Sequence, residues 1–205
     1  LRLLTVALGM YGSNSKNYGD GFTNMYGANH EDIAYSYRMD NHGKGSWYSI
    51  NGNIDYQRTS RKNKQRMITF SYKINTQPQT SNSYNTYKDI YPEDEMEELV
   101  KRLLLRNYHS DGKTNTMEQT FQVDYTTPIG KLHTIEAGAK YIFRRNTSDN
   151  KLYEASGGSE DYLYNEDRSS DYRHLNHILA AYLGYTLKYK DFTFKPGMRY
   201  EQTIQ

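Results

Sequence analysis

The chain has 205 residues, a formal net charge of +2 and no cysteine. Disulfides and thiolate chemistry are excluded, and so small a positive excess, with no basic patch interleaved with aromatics, gives no footing for nucleic acid. No run approaches the roughly 18 apolar residues of a membrane-spanning helix.

The composition is dominated by tyrosine, with 22 copies against 6 phenylalanines and 1 tryptophan. Tyrosine suits strands and sets an apolar ring beside a wet hydroxyl, as a membrane interface requires. A mean hydropathy of −0.98 points toward disorder in a soluble chain, but 14% aromatic content opposes that. A wall of strands with one face in lipid reconciles the two, because only alternate residues need be apolar. The chain opens on Leu1 and stops at Gln205 inside a strand-like run. It therefore reads as residues 1–205 of a partial barrel domain, an internal piece of a longer protein.

In chain order, Leu4, Val6, Leu8 and Met10 alternate with small residues as a short strand over 1–12, and the Gly/Asn/Ser-rich stretch 13–30 reads as a loop. Ile33, Tyr35, Tyr37 and Met39 alternate next. Beyond Asn41–Gly45 the apolar parity changes from odd to even, which predicts either a bulge in one long strand or a tight turn between two. The clearest hairpin follows. Tyr48, Ile50, Gly52, Ile54 and Tyr56 oppose Ser49, Asn51, Asn53, Asp55 and Gln57; after a polar turn at 59–65, Ile68, Phe70, Tyr72 and Ile74 resume the pattern.

The stretch 76–113 reads as a long loop holding a short amphipathic helix over 92–107. Pro92 and five acidic residues lead into Leu99, Val100, Leu103 and Leu104, with Lys101, Arg102 and Arg106 at its end, as the helix dipole favours. Such a helix would lie on or plug a barrel mouth; the alternative is the core helix of a globular α+β domain. A second hairpin has Met117, Phe121, Val123 and Tyr125, a Thr127–Lys131 turn, then Ile135, Ala137, Ala139, Tyr141 and Phe143. After another polar stretch, 146–171, a third carries Leu179 to Tyr189, a turn at Lys190-Asp191, and Phe192, Phe194, Met198 and Tyr200. Short connections thus alternate with long ones. Outer-membrane barrels show that asymmetry, short turns inside and long loops outside. The expected fold is all-β: a curved antiparallel meander of about seven or eight strands, an open segment of a larger transmembrane barrel.

Several stretches, Ser46–Arg58, Asp124–Lys131, Glu136–Tyr141 and Lys195–Glu201, resemble the barrel region of TonB-dependent-receptor-like outer-membrane proteins. The resemblance covers most of 45–75 and 114–205. It implies a barrel of 22 strands around an N-terminal plug carrying a TonB box, neither of which is visible here, and nutrient uptake across the outer membrane of a Gram-negative bacterium. The partners it implies are outer-membrane lipid, the protein's own plug, the TonB complex through that plug, and a surface lipoprotein. A soluble or surface-exposed β-sandwich or adhesin-type binding module, or a TonB-independent barrel, is the competing reading.

Candidate chemistry is sparse. His174 and His177, three apart on a strand, point to opposite faces and do not suit one metal ion. The acidic stretch Glu160, Asp161, Glu166, Asp167 and Asp171 offers oxygen ligands but lacks the ligand spacing of a calcium loop, so a solvated charged loop is the plainer reading. Glu136, Lys140, Arg199 and Glu201 fall on inward parities, where they would contact a plug or solute or form a network satisfied by neighbours and water. Asn146-Thr147-Ser148 matches a glycosylation sequon. No catalytic, cofactor or metal site is assigned, no cofactor is expected, and no arrangement argues for an enzyme.

Overall fold

The computed structural model describes all of residues 1–205. One antiparallel sheet runs up and down in chain order: β1 (Arg2–Tyr26), β2 (Ile33–Thr59), β3 (Met67–Tyr91), β4 (Arg106–Ile129), β5 (His133–Ser156), β6 (Leu163–Tyr189), β7 (Phe192–Phe194) and β8 (Gly197–Ile204). β7 and β8 hold one register along β6, Leu187↔Phe194 continuing as Gly184↔Gly197. They are a single ribbon broken at Pro196, which has no N–H to give the ladder. The sheet is open, with β1 paired only to β2 and the last ribbon only to β6. There is no second sheet, so the sandwich reading fails, and the expected open meander with one short helix is what forms.

Only 13 of 205 residues are buried, so no packed interior holds the chain together. Order resides in the ladder: 130 of 143 backbone hydrogen bonds lie within helices and strands. The register gathers Leu4, Val6 and Leu8 of β1, Ile50 and Ile54 of β2, and Phe70 and Tyr72 of β3 on one face. Phe121 and Val123 of β4, Ala139 and Tyr141 of β5, and Leu179 and Leu183 of β6 complete it. These side chains stand bare, Ile54 at 44% exposure and Leu183 at 48%. An apolar sheet face left uncovered by protein is a face made for acyl chains. We call it outward.

Aromatic residues mark both rims of this band. Tyr48 and Tyr56 bracket it on β2; on β5 and β6 the Tyr141 hydroxyl meets His177 Nδ1 at 2.7 Å at one rim, and His133 Nδ1 meets the Tyr185 hydroxyl at the other. Each bracket encloses about nine residues, within what a tilted strand needs to cross a bilayer. The tilt is written in the turns. Thr59 and Met67 end their strands level with Thr126, but the next turn leaves from Ile129 and His133, level with Leu187, and the third from Tyr189. The drift is about one residue per strand; at ~3.3 Å of rise against ~4.8 Å of strand spacing this inclines the strands by roughly 35°.

The strands are far longer than the band. β1 to β6 have 24 to 27 residues each, and the surplus projects from the side opposite the short turns. The expected loops at 13–30, 76–113 and 146–171 are therefore mostly strand, and true connectors shrink to 27–32, 92–105 and 157–162. Beyond the lipid both faces are wet, so alternation fades and Asn, Ser, Thr and Gly read as loop although the ladder continues. The 127–131 turn is likewise shorter than expected, β4 running through Pro128 to Ile129 before Gly130 turns at a φ of +66°.

At Asn41–Gly45 the structure has neither bulge nor turn. β2 passes straight through, in unbroken register with β1 from Tyr35 to Arg58. The parity changes because the dry side changes. Near the lipid, the even residues of β2 are apolar and outward; near its start, Tyr35 and Tyr37 are inward and lie beneath a helix. The bulge lies instead on β3, where Asp89 takes a φ of +51° and the β2 register slips between Ser36 and Arg38. It turns Ile90 to the same face as Tyr87.

That face carries the one apolar core. After a 3-10 turn at Glu93–Glu95, α1 (Met96–Leu103) lays Leu99, 2% exposed, against Ile90 and Leu105, with Tyr35, Tyr37, Tyr87, Val100 and Leu103 around them. Acidic Glu97 and Glu98 begin the helix and Lys101 and Arg102 end it, Lys101 pairing with Glu97 at 2.6 Å and Arg102 lying over the Tyr35 ring. Burial, with the Tyr108 and Tyr37 phenols close by, pushes the Tyr87 hydroxyl above its ordinary range. The expected 92–107 helix is real but shorter, and it sits on the inward side of the projecting rim.

The projecting wall has no lipid to brace it, and a row of stacked rings takes that part. Tyr18, His42, Tyr84, His109, Tyr153 and Tyr164 are direct cross-strand partners from β1 to β6. Successive ring centres lie 6.4, 4.7, 4.1, 5.5 and 5.5 Å apart. Such pairs each contribute about 0.5–1.5 kcal/mol beyond the area they bury.

Two outcomes follow for the full-length protein. Ile54→Arg or Leu183→Arg lowers stability in lipid vesicles by ~2–4 kcal/mol, while inward Asn51→Arg stays within ~0.5 kcal/mol; urea unfolding followed by electrophoretic mobility measures both. Leu99→Ala removes ~2–5 kcal/mol of local packing, so hydrogen exchange across 92–105 accelerates while exchange in the membrane band is unchanged.

Candidate functional site

The inward face is set by the same alternation that makes the outward one greasy. At membrane depth it is polar and charged. Asp55 accepts from Ser71 Oγ and Asn53, tying β2 to β3. Arg144 of β5 donates through Nε and Nη2 to Glu118 of β4, at 2.9 and 2.6 Å. Tyr182 of β6 lies flat across Gly138 of β5 and donates to Asp124 of β4, which also accepts from Gln122. A Cβ on Gly138 would fall 2.4 Å from that ring, so only glycine lets the phenol pass. These groups bond sideways along the wall and leave the space in front of it polar.

The four inward charges singled out from sequence do not form one cluster. Glu136 takes Lys195 at 2.9 Å, stitching β5 to the break between β7 and β8. Arg199 pairs with Glu201 along β8. Lys140 stands in the row of Gln122 and Ala180, level with Glu201 but two strands away. His177 belongs to the outward rim with Tyr141 and Phe143, whereas His174 stacks on Tyr172. The acidic stretch is divided: Glu160 and Asp161 lie in the last connector, Glu166 and Asp167 in a bulge of β6, and Asp171 on the strand itself. In that bulge Ser169 Oγ accepts from the Leu152 N–H and Arg168 pairs with Glu154 while lying over Tyr108. Asn146 and Thr147 of the sequon are consecutive residues of β5 and so face opposite sides.

Above the lipid band the inward face changes character. Four consecutive rows, those of Ser49, Trp47, Gly45 and Gly43 on β2, contain no Asp, Glu, Lys or Arg from β1 to β6. Their residues are Ser, Thr, Asn, Gln and Gly, with Tyr11, Trp47, Leu152, Tyr172 and His174 among them. The outward rows between them carry Lys16, Lys44, Lys113 and Lys151, with Arg173 and three aspartates. Two adjoining hollows of about 260 and 300 Å³ open on this inward stretch, sharing Asn17 and Ser83. Periodicity reveals which residues face inward, but not that these rows align across strands.

Residues 58–205 match the family described as the outer membrane protein beta-barrel family, which is most of the chain. No curated protein matches. Among solved structures, the unliganded ferric citrate transporter FecA shares 12% identity at a TM-score of 0.31, aligned over 98% of this chain and 38% of that one. The outer membrane transporter YddB from Escherichia coli shares 10% at a TM-score of 0.32, over 98% of this chain and 33% of that one. The chain thus spans little more than a third of the transporters it resembles, and scores this low leave the family match to carry the assignment. With its outward band, tilted strands and short turns on one side, this wall belongs to the outer membrane protein beta-barrel family and lies in the outer membrane.

Proposed function

We propose that this wall is part of a TonB-dependent-receptor-like importer that takes up a scarce nutrient in a Gram-negative bacterium. The observation that carries the reading is the polar inward lining at membrane depth. Asp55, Asp124, Tyr182 and the Glu118–Arg144 pair would be costly against an apolar filling, but sit comfortably beside water or a polar plug. In this reading the lumen holds the protein's own plug, which reaches TonB from the periplasm. α1 overhangs the outer mouth, and the projecting rim is where a surface lipoprotein would dock. The wall binds and guides; it performs no catalysis.

The test uses cells expressing the full-length protein. Medium nutrients depleted by the wild type but not by a deletion strain identify the cargo class, and the same uptake is then measured after a protonophore and in a strain lacking TonB. Uptake falling to the deletion level in both arms is the expected result. Uptake that persists in either arm overturns energy coupling and leaves a passive barrel.

A further inference from the structure

The chain is 24% charged, yet four successive rows of inward side chains above the lipid rim carry no charge at all, while the rows facing out between them are crowded with lysine and aspartate. Solvation alone does not produce this division, since outside the bilayer both faces meet water. Charge has been kept from one surface only, and that surface is the concave approach to the lumen.

What remains there has a definite chemistry. Gly43, Gly45, Ser15, Ser81 and Ser83 make a low floor. Gln79 and Asn17 stand at its edges, each able to donate and accept. At the membrane end Trp47 and Tyr11 meet edge to face, ring centres 5.7 Å apart, and keep 45% and 58% of their surfaces exposed. Toward the mouth Tyr108, Asn85 and Leu152 close the second hollow below the α1 core. The buried amide oxygens of Asn85 and Asn146, both on this face, have no hydrogen-bond partner. An acceptor left unmatched in a wall is unfavourable, and a hydroxyl on a bound molecule would relieve it.

We infer that this trough binds an uncharged, hydroxyl-rich solute, a neutral oligosaccharide, as the cargo that the importer selects. The inference rests on the transport reading for the word cargo, but the binding itself does not. Amides and hydroxyls pair with sugar hydroxyls in both directions, and an exposed indole offers a flat face to the C–H side of a pyranose ring. Within the four rows a carboxylated or metal-chelating solute would find no counter-charge, and the cations at the two ends, Arg168 over Tyr108 and Arg144 below, are already paired with Glu154 and Glu118. Small floor residues let an extended chain lie against the backbone. α1 overhangs its outer end.

Trp47 is the single tryptophan of this chain, so its emission reports the trough directly. The full-length protein in lipid nanodiscs is titrated with maltohexaose, xylohexaose, mannohexaose and cellohexaose, and with hexagalacturonate as the charged counterpart. A Trp47→Phe protein supplies the background. At least one neutral sugar should change the Trp47 emission saturably and bind about tenfold or more tighter than the uronate. Gly45→Leu, whose Cβ would crowd the movable Ser15 Oγ at 3.1 Å and meet the Thr80 carbonyl at an ordinary 3.6 Å, should fill the floor and weaken binding by about tenfold or more. Ser81→Leu is the second filling variant, and unfolding in urea certifies that both are assembled. Failure of all four neutral sugars at millimolar concentration, equal or better binding of the uronate, or full affinity in both assembled filling variants overturns the inference. Binding at equilibrium needs no energy source. Sugar binding without TonB-dependent uptake sinks only the coupling, and coupled uptake without sugar binding sinks only this assignment.

Discussion

Inside a bilayer no water reaches the backbone, and every N–H and C=O must find its partner within the protein. Between β1 and β6 the sheet meets that demand, with ladders running nearly the full length of neighbouring strands and the free edges left to β1, β8 and the far part of β6. Side chains then have only two directions to point. One becomes lipid-facing and the other lumenal, and each further feature of the molecule is a consequence of how these two surfaces are used. Because so few residues are buried, stability depends on the ladder and the lipid more than on any packed core.

The same two faces persist after the strand leaves the membrane, but their roles are reassigned. Outward side chains change from aliphatic to rows of lysine and aspartate, then to a Tyr/His row that packs from strand to strand. Inward side chains change from paired charges to neutral hydroxyls and amides, and finally to the tyrosines under α1. Three irregularities interrupt the long ladders: a slip between Met25 and Tyr26 where β1 ends, and two bulges that each serve a local purpose. The Asp89 bulge aims Ile90 at the helix, and the bulge at 166–169 brings Arg168 back over Tyr108. Elsewhere the registers are unbroken over long distances, which is why rows of like chemistry can extend across six strands.

A wall built this way keeps the groups that hold the strands apart from the inward surface above them. The outward band and the sideways bonds of Asp55, Asp124 and Glu118 fix the strands, so the inward surface above them is free to vary in chemistry without disturbing assembly. Tyr182 crossing Gly138 illustrates the economy of the arrangement: one glycine lets a single phenol tie three strands together.

Alternation alone was enough to determine the all-β class, the three hairpins, the lipid-facing rows from Ile50 to Leu187 and the amphipathic helix beginning near Met96, because period two and period 3.6 are local properties. It misread everything beyond the lipid. Where both faces are wet, Ser13 to Tyr26, Asn146 to Ser156 and Leu163 to Asp171 lose their alternation yet remain strand, and no local signal separates that from a loop. The parity change at Asn41–Gly45 is legible in sequence, but its cause is a helix some fifty residues away, packed on the opposite face. The Tyr/His row and the charge-free trough draw their members from six strands at unrelated sequence positions. They exist only because hydrogen-bond register aligns them, and register is a property of pairs of strands that no single stretch of residues contains.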